Sequence, residues 1–394
     1  MRWVYAFGGG EADGGRDDRQ LLGSKGAQLG EMSRLGLNVP PGFTITAEAC
    51  RHFLSTGDVP TDLWSEVEEA MSALEARSLR RFGDTAGEPL LVSVRSGAAV
   101  SMPGMMDTVL NLGSTDGSIA ALARASDERF ALDCHRRFVQ LFGEVVAGVD
   151  HGAFEAALTA ARAEAGVDRD DALGSARLAT LVDTFRRRVA EVTGRRFPED
   201  PWEQLRAAVL AVFGSWDTPR AREYRRVNHI ADDLGTAVSI MMMVYGNRGE
   251  DSASGVAFTR DPSTGEPRLY GEFLVNAQGE DVVAGTRDPQ PLAELAHGFP
   301  EALPELEEVR RILEAHYRDM QDLEFTIERG ELFVLQTRTG KRTGRAAVRI
   351  AVDMVGEGLI DRSSALLRVD PDAIEQLLHP SVDPSAEVVE LGRG

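Results

Sequence analysis

Apolar and polar positions follow two periods along this chain. Strand-like stretches fall at 3–7, 43–46, 90–95, 236–245, 255–259 and 269–275. Helical spacing fills 118–230 almost completely, with a charged break near 166–173, and returns at 303–319. Ser24 is placed to cap a helix over 25–35 that buries Leu29 and Met32, and the Pro40-Pro41-Gly42 run stops it. Residues 343–359 and 370–378 read as helices of a C-terminal appendage. Strands on both sides of a long helical middle predict an α+β chain, and 394 residues allow two or three domains.

The hairpin at 322–338 carries the sharpest pattern. A three-residue loop, Glu328-Arg329-Gly330, puts Gly330 at the left-handed position such loops favour. That register sets Asp322 opposite Gln336, with Glu324 and Arg338 on the same face. Leu323, Phe325, Ile327, Phe333 and Leu335 then form the core face. A two-residue loop shifts the parity and moves Gln336 and Arg338 to the face of Leu323 and Phe325. In the first register two carboxylates, an amide and a guanidinium gather at one end of a sheet, which suits Mg²⁺ with a polyphosphate. A solvated edge hairpin is the alternative.

Composition narrows the field. The net charge of −20 argues against a nucleic-acid-binding surface. No apolar run is long enough to span a bilayer and no signal peptide is evident, so no membrane partner is expected. Cys50 and Cys134 give neither a disulfide framework nor metal-ligand spacing, and a cytoplasmic setting is the expectation. The 43 basic residues include only two lysines, Lys25 and Lys341. A coding preference for arginine explains most of that bias. Where lysine persists, a compact ammonium is favoured over a planar fork.

Three segments have the make-up of phosphate sites. GSKGA at 23–27 places Lys25 at a helix start with free N–H groups. It is no Walker A loop, because G-x-x-x-x-G-K-[ST] is absent, as is G-x-G-x-x-G. SVRSGA at 93–98 followed by SMPGMM at 101–106 puts Arg95 at a strand end before a loop of small residues, and three methionines in five residues point to an apolar contact. GNRGEDSASG at 246–255 is a glycine- and hydroxyl-rich turn that can close over phosphates as a flap, or serve as a hairpin loop.

Together with VPPGFTI at 39–45, GVAFTRDP at 255–262, NAQGED at 276–281 and LQTR at 335–338, these segments closely resemble the N-terminal nucleotide-binding region of the pyruvate, phosphate dikinase family. The likeness runs from residue 4 to about 380 and is closer to the dikinases than to phosphoenolpyruvate synthase. It implies an ATP-grasp-like fold of two lobes: 1–117 as first lobe, 118–200 as helical insert, 201–342 as the rest of the first lobe plus the second, and 343–394 as a helical linker. It implies that Lys25, Arg95 and Arg338 hold the phosphates of ATP and that Asp322, Glu324 and Gln336 hold Mg²⁺. Gly104, Met105 and Met106 with Ser254 are then expected to cradle the β and γ phosphates, with Glu280 near the nucleoside.

In that family ATP pyrophosphorylates a histidine on a swivelling domain and AMP leaves. Inorganic phosphate then takes one phosphoryl group, giving pyrophosphate and a phosphohistidine, and a barrel passes the remaining phosphoryl group to pyruvate. The resemblance places the end of this chain about where the histidine domain begins. None of its seven histidines stands in a glycine-rich Thr-Ser-His context. The expected partners are therefore a histidine-bearing swivel domain and a pyruvate-binding barrel outside these residues. Met241 replaces a glutamine expected on the strand bordering the base, Ser24 a glycine and Ser254 a threonine. A stand-alone kinase acting on a small molecule and a non-catalytic nucleotide-binding regulator are the competing readings.

Overall fold

The computed structural model describes residues 1–375 apart from Pro103, Met106 and Thr286. Met106 and the end of the expected appendage, His379 included, lie outside the described residues. The chain forms two compact units. Unit one holds Met1–Ser254, Val275–Gly279 and Phe325–Gln336; unit two holds Gly255–Leu274, Glu280–Glu324 and the chain from Thr337. Mixed helix and antiparallel sheet make this the α+β arrangement that the periodicity predicts.

Strands β1 (Val4–Gly8), β2 (Glu11–Ala12), β3 (Gly42–Ile45), β4 (Val92–Gly97), β5 (Thr108–Leu112) and β6 (Ala237–Met242) form an antiparallel sheet in the order β2-β1-β3-β6-β4-β5. Its inward residues include Phe43, Ile45, Val92, Val94 and Ile240. Around it lie α1 (Arg19–Arg34), α2 (Ala47–Thr56) and α3 (Leu63–Ser78), the last two unforeseen from the sequence pattern. α3 buries Leu63, Val67, Met71 and Leu74, about one residue per turn, with Trp64 and Ala70 partly buried against the same core. So thin a stripe in a run of polar residues gives little periodic signal. The stretch that follows the expected loop forms a further unforeseen strand, β5.

The helical stretch resolves into α4 (Asp116–Ala125), α5 (Glu128–Val145), α6 (His151–Ala165), α7 (Ser175–Thr193), α8 (Pro201–Ser215) and α9 (Pro219–Val227), with the expected break between α6 and α7. In α5 the Asp127 side chain accepts from the Phe130 N–H, and Phe130, Cys134, Phe138 and Phe142 recur every fourth residue on the buried side. Phe138 and Phe142 pack edge-on or tilted against each other and Phe197, with centroids 5.2 to 5.7 Å apart. Each such ring contributes roughly 2–3 kcal/mol of burial.

Strands β7 (Ala253–Phe258), β8 (Tyr270–Val275), β9 (Gln290–Pro291), β10 (Gln321–Glu328) and β11 (Glu331–Thr339) form a second sheet in the order β11-β10-β7-β8-β9. β6 and β7 thus belong to different sheets, and the connection through 243–252 is not a hairpin loop. It is not a free flap either. Within unit one, Arg248 meets Glu328 at 2.6 Å, the Tyr245 N–H donates to Glu328 at 3.1 Å, and the Gly330 N–H donates to the Asp251 carbonyl at 2.9 Å. In unit two, α10 (Gly279–Ala284, whose first residue counts with unit one) and α11 (Leu295–Gly298) precede α12 (Ala302–Tyr317). Beyond the hairpin come α13 (Gly344–Gly356), α14 (Arg362–Arg368) and α15 (Pro371–Glu375). α13 joins the core of its own unit: Ala346, Ile350 and Met354 cluster with Met320 and Ile360. Arg260 secures it, donating to Glu314 of α12 at 2.9 and 3.0 Å and to Glu357 at 2.5 and 3.0 Å.

The β10–β11 loop corrects the expected register. It has two residues, Arg329 (φ 51°) and Gly330 (φ 83°), both left-handed as a type I′ turn requires. That turn suits the right-handed twist of the strands better than a three-residue loop. The two-residue loop sets Glu328 opposite Glu331, whereas at the open end the Gly340 N–H donates to the Met320 carbonyl, one residue out of that register, so β11 carries one extra residue, a bulge. Burial does not alternate along β11: Leu332, Phe333 and Val334 are all buried, and Leu335 and Gln336 are both half-buried. Leu332 and Val334, expected on the polar face, join Leu323, Phe325 and Ile327 in the core.

Two features of unit one set measurable stability. α1 is interrupted at Gly23 (φ 68°, ψ 172°), and its main run starts at Ser24, whose N–H donates to the Ala98 carbonyl at 2.9 Å. A Cβ at position 23 would lie 1.7 Å from the Gly97 carbonyl oxygen. Gly23→Ala is expected to cost about 2–3 kcal/mol by strain and overpacking, read as a fall in the urea midpoint; an unchanged midpoint would deny the close approach. The second feature is His135. Arg186 can only donate, at 2.8 Å to Nε2, so Nδ1 carries the proton and donates to Ser114 Oγ at 2.6 Å. Burial, helped by the Arg186 charge, pushes the imidazole down to about 3 from its ordinary 6.5. The unfolded chain takes up this proton first, so stability present above pH 6.5 is lost as pH falls from there towards 3. Urea midpoints between pH 7.5 and pH 5 are expected to fall less steeply in His135→Gln; equal slopes would remove His135 from the account.

Candidate functional site

Lys25 enters the site through glycine. Because Gly23 bends the chain against Gly97, the first turn of the α1 main run sits on the end of β4. A Cβ on Gly97 would lie 3.2 Å from that of Lys25. Arg95 precedes Gly97 by two and so shares that face of β4. Its guanidinium donates to the Leu335 carbonyl at 3.4 Å and to Gln336 Oε1 at 3.3 Å, both within unit one. The structure therefore brings Lys25, Arg95 and Gln336 to one strand end.

Sequence reasoning missed the groups that fix this end. Thr236 Oγ1 accepts from the Gly97 N–H at 3.2 Å, and Arg19 Nε donates to the Ala99 carbonyl at 2.6 Å. Both are long-range contacts with backbone, which leave no local signal.

The remaining unit-one residues are placed as follows. Gly104 and Met105 lie in a turn closed by the Met105 N–H on the Met102 carbonyl at 3.2 Å; Met102 is buried and Met105 packs on the main core. Ser254 is 1 % exposed and its Oγ lies 3.2 Å from Thr326 Oγ1, so that hydroxyl is engaged inside the fold. Met241 is buried in β6, paired with Gly42 on one side and Ser93 on the other.

Unit two supplies the carboxylates. Asp322 is 7 % exposed, and Arg338 Nε donates to its Oδ2 at 2.7 Å. Glu324, two residues along β10 on the same face, is half-buried. Glu280 lies in the first turn of α10 and is also half-buried. Gly340 N–H to Met320 O at 3.0 Å and the Arg342–Asp319 pair at 2.6 and 3.0 Å lock the open end of the hairpin. Among the described residues, no three His, Cys, Asp or Glu side chains cluster as a metal site of their own. The chemistry on offer is thus cationic in unit one, and a carboxylate pair with a guanidinium in unit two. No helix among the described residues is long and apolar enough to cross a membrane.

The pyruvate phosphate dikinase AMP/ATP-binding domain family matches residues 19–79, 57–296 and 300–358. A pyruvate, phosphate dikinase of Rhizobium meliloti (strain 1021) is 52% identical over all of this chain, which spans 45% of that relative. A chloroplastic dikinase of Flaveria trinervia is 53% identical over 97% of the chain and 40% of the relative, and one of Arabidopsis thaliana is 52% identical over the same shares. The chain spans less than half the length of these relatives. With matches of this extent, the chain belongs to the pyruvate phosphate dikinase family, as its AMP/ATP-binding region.

Proposed function

We propose that this chain holds Mg-ATP in an ATP-grasp arrangement and delivers its β and γ phosphates to a histidine outside these residues, releasing AMP for phosphoenolpyruvate formation from pyruvate. The observation that carries this reading is the Gly23–Gly97 approach, which seats Lys25 over the strand that bears Arg95. A compact ammonium and a planar guanidinium meet at the start of a helix, the environment a polyphosphate needs. Lys25, Arg95 and Arg338 hold the phosphates. Amides of the Gly104 and Met105 turn and the Ser254 hydroxyl cradle the β and γ phosphates, and Glu280 lies towards the nucleoside.

Asp322, Glu324 and Gln336 are the proposed Mg²⁺ donors. Their fit rests on hard oxygens already turned to positive charge: Asp322 Oδ2 accepts from Arg338, and Gln336 Oε1 from Arg95. Held there, the ion would neutralise charge on the phosphates. The chain's own part is positional and electrostatic: the cations fix the triphosphate and stabilise the charge that grows as the phosphoryl bond breaks. No side chain here needs to form a covalent intermediate.

The test is AMP formation from Mg-ATP with pyruvate and phosphate, with and without a separately supplied histidine-plus-barrel fragment of a relative. AMP is expected only with the fragment. Glu324→Ala and Arg338→Ala are each expected to slow it on the order of a hundredfold. AMP released equally without the fragment, or full activity in both variants, would sink the proposal.

A further inference from the structure

One face of the first sheet carries a row of hydroxyls around Arg95. Across the strands, Thr44 of β3 stands opposite Ser239 of β6, Ser239 opposite Arg95 of β4, and Arg95 opposite Thr108 of β5. Residues paired in this way project from the same face. Most of these hydroxyls are engaged inside the fold. Thr44 Oγ1 and Ser239 Oγ lie 3.0 Å apart, and both residues are buried. Ser93, two before Arg95, donates its hydroxyl to the Met241 carbonyl at 3.4 Å. Thr108 differs. It is half-buried, and among the described residues its hydroxyl has no hydrogen-bond partner.

A bulge sets the register that brings Thr108 to this face. Val92 pairs with Leu112 and Val94 with Val109, so two residues of β5, Leu110 and Asn111, answer to Ser93 alone. Asn111 takes the left-handed conformation at φ 57°, which asparagine tolerates better than most side chains. Without the extra residue, Val109 would stand opposite Arg95 and Thr108 would turn into the core. With it, Val109 is buried in the main core and the hydroxyl lies on the side of Arg95. Facing Cβ atoms in such a pair are about 5 Å apart.

α1 crosses the same face. A Cβ on Gly26 would meet the Thr44 side chain at 2.7 Å, and one on Gly97 would meet that of Lys25 at 3.2 Å. The helix start thus lies over β3 to β4, and β5, the next strand and the edge of the sheet, carries Thr108 on its flank. All these residues belong to unit one. We infer that Thr108 is a further phosphate-binding residue, whose hydroxyl donates to a terminal phosphate of the nucleotide that Arg95 holds from β4. This rests on the nucleotide reading above. A guanidinium and a hydroxyl on facing strands offer an anion donors from two sides, and the hydroxyl adds a donor without adding charge. Valine or isoleucine would suit the strand as well as threonine does, so strand preference alone gives the hydroxyl no use.

Isothermal titration of the full chain with Mg-ATP and, separately, with AMP tests the assignment. Thr108→Val keeps the shape and strand preference and removes only the hydroxyl. Its Kd for Mg-ATP is expected to rise roughly tenfold, the loss of a hydrogen bond to a charged group, while that for AMP stays within about twofold. Thr108→Ser is expected to restore most of the affinity. The urea midpoint of Thr108→Val should not fall below that of the wild type, because the hydroxyl anchors nothing in the fold. Mg-ATP affinity unchanged in Thr108→Val, AMP affinity falling equally, or a loss in Thr108→Ser as large as in Thr108→Val overturns the inference. If Mg-ATP binds the wild type and is lost in Glu324→Ala but not weakened in Thr108→Val, only this inference fails. If the wild type binds no Mg-ATP, the nucleotide reading fails and this inference with it.

Discussion

The carbonyl of Gly97 occupies the space where residue 23 would carry a side chain. From that single approach follow the break in α1, the start of its main run at Ser24, and the seat of Lys25 over β4. Two glycines facing each other let a helix start and a strand end touch through backbone alone. Anything larger at position 23 would lift the helix start and with it the ammonium. The rest of the strand end is built to hold still, by Thr236 on the Gly97 amide and Arg19 on the Ala99 carbonyl. A site that acts by position needs this stiffness more than it needs any one charge.

A second constraint runs through the buried charges. Arg248 stands between Glu88 and Glu328, Arg260 between Glu314 and Glu357, and Asp133 between Arg136 and Arg137. Burial alone would raise the Asp133 carboxyl, but the two guanidinium groups outweigh it and hold it well below the usual carboxylate range. A planar fork can serve two carboxylates at once, and a lysine cannot do so with the same geometry. The arginine bias thus has a structural use at these positions, whatever its origin in coding. Losing one partner of such a buried group would cost far more than the group itself contributes, since a bare charge would remain.

The sequence foretold this molecule unevenly, for physical reasons. Strong periodicity made α5, α12 and the β4, β6 and β8 strands legible. α3 was not, because its four buried residues are spread thinly among charged ones. The hairpin shows a subtler case. The turn is one residue shorter than expected and β11 one residue longer, so the partner changes while the parity at the open end does not. Asp322 and Arg338 still meet, at 2.7 Å. Residue spacing records parity well, whereas it records a bulge poorly, because a bulge depends on twist and on neighbours far along the chain. Lys25 and Arg95 were readable as separate motifs. Their meeting was not, since it depends on a contact between backbone atoms some seventy residues apart, as in the Ser24 to Ala98 hydrogen bond.

The pairing of Asp322 with Arg338, and of Gln336 with Arg95, bears on the order in which ligands arrive. Two of the three groups assigned to a metal, Asp322 and Gln336, already have a guanidinium on them. A bare divalent ion would have to displace that cation and leave it facing another. An ion delivered on a triphosphate brings anionic oxygens to which the displaced guanidinium can turn, so the exchange conserves charge pairing throughout. On the proposed reading, the chain discriminates between free metal and nucleotide-borne metal before any base or ribose is recognised.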